Sequence, residues 1–404
     1  MKKLMTLMLC LGATTGLFAQ TAVVKQAEKL SGKQDQLGEA RNLINQAMQN
    51  PETKDQAYTY YVAGKIELDA YDNGYKLKMI NPNDASAQPD VLGGELLGAY
   101  NYFLKALPLD SLPNEKGQVK PKYSKDIYNK IKGHQSDFYE VGAEYYNNKN
   151  FGPAYDAFVI YAGLPVNFGL NDTSVISPQQ VANAYFNAGI AANQAGNYED
   201  SANAFKAARL NGYEQPEATI YEIASWQTIG QNDESRLSEV QANIMTAAQA
   251  GIDKFGIENP IFLNNLINSM VSDNQTDAAI AKLNDLIAQN PDSSNLYGLR
   301  GYVYDRLEKD DLSEADYRKG ASLPNADFET LKNASNKLYR VGTSKLNNIE
   351  GTAADSNAAR DDVKNNYFLV AKQYAEQANQ LQPGDSYIQN ILDSIDYALT
   401  TFFN

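Results

Sequence analysis

The chain has 404 residues, 43% hydrophobic and 21% charged, with a formal net charge of −14. It can bury a sizeable core and is too apolar for a disordered chain. Its acidity makes nucleic acid and anionic membranes poor partners; one cysteine and one histidine leave neither a disulfide framework nor a thiolate–imidazole metal site to build.

Lys2 and Lys3 precede an apolar run from Leu4 to Leu11, and small or neutral residues lead to Leu17-Phe18-Ala19. This is the pattern of a secretory signal peptide over residues 1–19, with cleavage expected between Ala19 and Gln20. The run is too short to cross a bilayer and no later stretch is apolar enough, so no transmembrane anchor is expected. Lipid attachment at Cys10 would need a small residue before it, and Leu9 stands there. Cleavage therefore leaves a chain without a thiol. His134, in the polar stretch Lys130 to Gln135, reads as a solvated side chain, and no cofactor or metal is expected.

From residue 20 onward, apolar positions recur with a helical period. Helix pairs are predicted at 21–30 with 36–49 and at 55–71 with 94–107. Between the second two, residues 72–93 contain Asn73-Gly74, Asn81-Pro82-Asn83-Asp84 and Gln88-Pro89, turn formers that predict an inserted loop. Residues 108–121, rich in Pro and Gly, form another irregular connection. Further pairs follow at 124–148 with 153–163, 177–195 with 199–210, and 216–229 with 233–254. Two regular ones lie at 259–273 with 275–289 and at 293–308 with 312–322. The last pair opens with a long helix over 327–348, passes a polar insertion at 350–361 and ends near Gln382. Residues 386–402 form a capping helix, needed because a terminal repeat has no neighbour to cover its apolar face. No stretch alternates as a strand would.

Residues 181–216 carry the clearest unit. Tyr185, Ala188, Gly189 and Ala192 put an apolar stripe on one helix, Gly196-Asn197 breaks it, and Tyr198, Ser201, Phe205 and Ala208 repeat it before Pro216. The first half recurs as Tyr60-Tyr61…Gly64, Phe138-Tyr139…Gly142, Leu338-Tyr339…Gly342 and, more loosely, Tyr297…Gly301. The second half recurs around Phe103, Phe158, Leu283, Tyr317 and Ala375, and 34 residues separate Ile267 from Gly301. This resembles the tetratricopeptide repeat (TPR), a helix–turn–helix unit of about 34 residues with small, aromatic and proline slots. The expected fold is all-α: a right-handed α-solenoid of about eight TPR-like pairs over 20–404 with a C-terminal cap. Two sub-arrays, 20–215 and 216–404, would meet near the divergent pair that holds Trp226.

In TPR proteins the first helices line a concave face, so the resemblance implies that the residue three before each glycine slot points into the groove. Those residues are Tyr61, Tyr139, Phe186 and Tyr339. Further along come Tyr146, Asn147 and Asp305, and Asn264 and Asn268 share one helix face at i, i+4. Rings interleaved with amides suit an extended peptide, the rings burying apolar side chains and the amides bonding the peptide backbone; the alternative is that each tyrosine packs on its neighbouring helix. The Lys, Arg and Asn set that clamps a terminal carboxylate is missing, with Lys65 and Arg340 isolated. Three function classes remain. One is a periplasmic scaffold or adaptor for a protein or peptide of unknown identity. A second is a glycan-binding protein, against which the single Trp226 argues. The third is an α/α-toroid carbohydrate-active enzyme, whose paired carboxylates would have to come from turns such as Asp310-Asp311 or Asp361-Asp362.

Overall fold

The computed structural model describes residues 21–83, 89–114, 116–168, 176–350 and 353–403. The candidate signal peptide lies outside them. Among the described residues there is no β-strand, only an isolated bridge between Pro113 and Val119. The rest of the ordered backbone is helical, and two compact units divide between Ser225 and Trp226.

In the first unit, α1 (residues 21–30) pairs with α2 (Leu37–Gln49), and α3 (Ala57–Ile80) with α4 (Pro89–Asp110). A single helix, α5 (Ser124–Gly133), precedes the pairs α6 (Gln135–Asn147) with α7 (Phe151–Asn167) and α8 (Pro178–Gln194) with α9 (Tyr198–Leu210). The unit ends within α10 (Glu217–Asn232). In the second unit α11 (Leu237–Phe255) precedes α12 (Pro260–Ser272) with α13 (Thr276–Gln289), then α14 (Ser294–Arg306) with α15 (Asp310–Ala321). Then come α16 (Phe328–Asn347), α17 (Ala353–Val363), a π turn over Lys364–Phe368, α18 (Leu369–Leu381) and the terminal α19 (Ser386–Phe402).

One packing device recurs in both units: a glycine of the first helix lies under an aromatic ring of the second. A Cβ on Gly64, Gly142, Gly189 or Gly301 would fall 2.5, 3.0, 2.7 or 3.0 Å from a ring carbon of Phe103, Phe158, Phe205 or Tyr317. Gly342 meets the π turn instead, with the Tyr367 Cβ at 2.9 Å and the Phe368 ring at 3.2 Å. All five rings are buried. The turns within pairs repeat as well. After α8, Gly196 takes φ +78° while Asn197 N–H reaches Ala192 O at 2.9 Å, closing the helix with a left-handed residue. Lys149, Asn274 and Glu308 hold the same place after α6, α12 and α14, with φ of 63°, 60° and 56°. Starts are equally marked: Ser177 and Gln180 form a reciprocal capping box ahead of α8, and Asp327 and Asp385 accept the Thr330 and Ile388 N–H groups at 3.0 and 2.9 Å.

Three expectations need correction. The loop placed at 72–93 is mostly helix, since α3 continues to Ile80 and α4 begins at Pro89; residues 84–88 lie outside the described set. Gly74 there is a packing glycine against Leu92, not a turn former. The insertion placed at 350–361 is largely α17, whose alanines carry helix propensity despite their polar neighbours. Finally, His134 is not a solvated side chain on one long helix: the helix breaks at this residue, between α5 and α6, and the side chain is only 19% exposed. Its Nδ1 lies 2.7 Å from the Lys130 carbonyl and its Nε2 2.8 Å from Asp72 Oδ1. Both partners only accept, so the arrangement is complete when the ring is doubly protonated. Burial pushes the His134 pKa down, but the bonds to Asp72 and Lys130 and the field of Asp72 and Asp137 outweigh it, and the net shift is upward.

Two measurements check this architecture. Gly189→Ala drives a methyl into the Phe205 ring, and overpacking of about 1–3 kcal/mol exceeds the helix-propensity gain of up to about 1 kcal/mol; its urea midpoint should fall. Gly94→Ala, with nothing within 4 Å of the new Cβ, should instead raise it. For His134 the sign follows from the raised pKa. The contribution is fully present below the unfolded value of about 6.5 and is lost as pH rises through the higher folded value. The stability gap between wild type and His134→Ala should therefore narrow from pH 6 upward; a gap that widens would contradict the double donation.

Candidate functional site

In the first unit the parallel helices α6 and α8 leave a trough between them, floored by α7. It consists of two clefts. The larger, about 350 Å³, is bounded by Ser136, Tyr139 and Glu140 of α6, Gln180 and Asn183 of α8, and Tyr161 beneath. The smaller, about 210 Å³, is bounded by Ala143, Tyr146 and Asn147 of α6, Asn187 and Ile190 of α8, and Phe158 beneath. Asn187 Nδ2 donates to the Tyr139 hydroxyl at 2.8 Å, a bridge from one helix to the other where the clefts meet.

The rings in this trough are held from below. Tyr139 packs edge-to-face on both Phe158 and Tyr161, each with centroids 5.3 Å apart, and Tyr146 does so on Phe151 at 5.4 Å. Phe158 is the ring that covers Gly142, so the repeat's packing device also forms the trough floor. Burial raises the pKa of the Tyr161 phenol, which stays a neutral donor at physiological pH. The amides of α8 are equally fixed. Gln180 Oε1 accepts the Ser177 N–H at 2.8 Å, and Asn183 Oδ1 accepts from Gln179 at 3.0 Å. Each oxygen thereby holds one bond, which orients the amides and leaves the N–H₂ groups of Gln180 and Asn183 as donors for a ligand. Tyr139, having accepted from Asn187, keeps its own O–H to give. The lining carries one charge, Glu140.

Of the residues singled out from the sequence, the structure brings together Tyr139, Tyr146 and Asn147. The other two ring positions of this unit are covered by the chain itself. Tyr61 stacks on Tyr123 at 4.7 Å and donates to Asp126 at 2.8 Å, while Tyr58 stacks on the same Tyr123 at 5.6 Å. Asp110 fixes that cover by accepting the N–H groups of Lys122, Tyr123 and Ser124 and the Ser124 hydroxyl. Phe186 stacks on Tyr213 at 4.4 Å and 10°, with Tyr221 at 6.0 Å.

In the second unit, Asp305 is an ion-pair partner rather than a free groove residue. It takes a bond from Ser313 and from buried Lys337, each at 2.6 Å. Tyr339 packs edge-to-face on Phe368 at 5.8 Å. Asn268 is exposed, and Asn264 has its Oδ1 buried without a hydrogen-bond partner. Trp226 is buried, 4% exposed, and offers no open face to a sugar. Sequence reasoning missed Ser136, Gln180, Asn183, Asn187 and Ile190. For the four on α8 a signal existed, since 180, 183, 187 and 190 follow the spacing of one helix face. Among the described residues, no group of three or more His, Cys, Asp or Glu is placed to hold a metal ion, and no helix is long and apolar enough to cross a membrane.

No family model and no curated protein matches the sequence. Solved structures do. The Cut9–Hcn1 hetero-tetramer of APC/C is matched over 88% of this chain at 11% identity and a TM-score of 0.32, and the chain spans 58% of that structure's own length. The TPR domain of P58(IPK) is matched over 95% of this chain and 98% of its own at 13% identity and a TM-score of 0.28. Yeast Tom70 is matched over 95% and 89% at 12% identity and a TM-score of 0.31. On its own packing, the chain is an all-α helical-repeat protein, and a TPR domain stands among the structures it resembles.

Proposed function

We propose that this protein is a non-enzymatic binding scaffold that takes an extended, largely uncharged peptide segment of a partner protein into the α6–α8 trough. The observation that carries this reading is the trough itself: fixed rings below, amide donors along one wall, and the Tyr139–Asn187 bridge between two side-chain-sized clefts. An extended backbone needs alternating donors and acceptors beside it and pockets for alternate side chains. Gln180, Asn183 and Tyr139 supply donors, Asn187 keeps a free amide oxygen, and the smaller cleft, walled by Ala143, Phe158 and Ile190, takes one apolar side chain.

The reading is non-enzymatic because the lining offers a single carboxylate, Glu140, where glycoside chemistry needs two. Export to a periplasm, on the strength of the 1–19 leader pattern, completes the proposal.

The test is a selection of peptide ligands from a random decapeptide library on the full chain, followed by titration of the selected peptides. Tyr139→Ala and Asn187→Ala should each loosen binding about tenfold or more, as truncating an interface anchor does. Tyr61→Ala should leave it unchanged, because Tyr123 already covers that ring. Selected peptides indifferent to Tyr139 would remove the trough from consideration. Glycan-array binding lost on Tyr139→Ala would transfer the site to sugars.

A further inference from the structure

The larger cleft of the trough is built partly from the first turns of α6, which supply Ser136, Tyr139 and Glu140. Tyr139 is fixed from below by Phe158 and Tyr161. Ser136 and Glu140 are exposed, and no side chain caps the start of the helix. Two polar contacts with α3 hold this end of α6: His134, the residue just before it, meets Asp72, and Asp137 accepts from Tyr71.

Among the described residues, the groups that face the His134 ring are mostly acidic. From α3 come Asp72, 2.8 Å from Nε2, and the Tyr71 ring at 6.0 Å, with Tyr75 stacked on Tyr71 at 6.1 Å. From α5, Lys130 gives its carbonyl at 2.7 Å, while its ammonium turns to Asp126 at 3.8 Å. From α6 comes Asp137, whose carboxylate in turn feels Glu140 one turn on. Burial lifts the Asp137 pKa, the His134 charge pulls it down and Glu140 lifts it again. The ring's proton is the positive charge around which these three carboxylates gather.

We infer that the proton on His134 is a switch for the trough: with it the α6 wall is drawn against α3, and without it Ser136 and Glu140 leave their places in the larger cleft. This adds regulation to the proposed peptide site and rests on that reading. A neutral imidazole keeps one N–H. The local bond to Lys130, four residues back, retains it, so the Asp72 contact becomes a ring lone pair against a carboxylate. Asp72 and the Asp137–Glu140 pair are then like charges without the cation that separated them. Tyr139 stays on its rings, so the change falls on Ser136 and Glu140. The sign follows from the raised His134 pKa. The wall is drawn in below the unfolded value of about 6.5 and released as pH rises through the higher folded value.

His134 is the chain's single histidine, so NMR of the full chain from about pH 5.5 to 8.5 follows one imidazole signal through its titration. Hydrogen exchange over residues 135–141, corrected for the intrinsic rate, is read on the same samples. Protection there should fall about tenfold or more across the ring's titration, the scale of losing a hydrogen bond to a charged group. Protection of residues 181–190 on α8 should stay level. In His134→Gln and in Asp72→Asn the step should vanish, with the α8 protection showing that each variant is folded. A step that survives both substitutions, or protection over 135–141 that ignores the ring's titration, would overturn the proposal. No peptide enters this measurement, so a trough that binds none would fail separately. Any peptide bound at Tyr139 should loosen over the same pH interval in the wild type and not in His134→Gln; one that held equally well throughout would contradict the switch.

Discussion

At Gly64, Gly142, Gly189 and Gly301, a glycine on one helix lies under a ring from the helix that follows it, and the spacing of each of those helix pairs rests on that contact. Glycine in a helix interior costs about 1 kcal/mol relative to alanine. Burying a phenyl ring that would otherwise stand in water returns about 1.5–3 kcal/mol. The exchange is favourable only because the missing Cβ leaves room for the ring, as for Phe205 at Gly189, where a Cβ would fall 2.7 Å from a ring carbon. A ring held this way has little rotational freedom, so it becomes a fixed surface on which a third helix can be set. Phe158 shows the consequence. It covers Gly142 on one side and forms part of the trough floor on the other.

Regularity of the pairs does not by itself leave a binding surface. Tyr61, Tyr139 and Phe186 occupy equivalent repeat positions, yet they meet different neighbours. Tyr123 covers Tyr61, held there by Asp110, and Tyr213 and Tyr221 cover Phe186. These covering rings come from the connection before α5, the one after α9, and from α10, not from the repeat register. They fill the space where an incoming chain would lie. Tyr139 instead meets an amide from α8, and between the two helices there is room for a ligand.

How much of this could be read from the sequence follows from the same distinction. Glycine slots, the rings that cover them and the left-handed turn at Gly196 are periodic and local, so the pattern of residues carries them. Asn73-Gly74 misled because a turn-forming dipeptide has no signature of its own when its glycine is recruited for packing, here against Leu92. The helix at α17 was hidden because a solvated helix lacks the apolar stripe that makes helices visible. His134 looked solvated because its acceptor, Asp72, lies 62 positions away on α3. The covering of Tyr61 by Tyr123 depends on a contact between segments distant in sequence, for which a single chain offers no periodic cue.

The trough rests on contact forces rather than on net charge. Hydrogen bonds from Asn183, Gln180 and Tyr139 act over a contact distance and are hardly screened, and the trough's single charge gives salt little to act on. The acidity of the chain adds a bias of its own. With a net charge of −14, the molecule repels an acidic segment over a long range, whereas an uncharged segment meets no such repulsion on its way to Tyr139. Salt relieves the first effect and hardly touches the second, so what the trough accepts is set by the rings and amides within it.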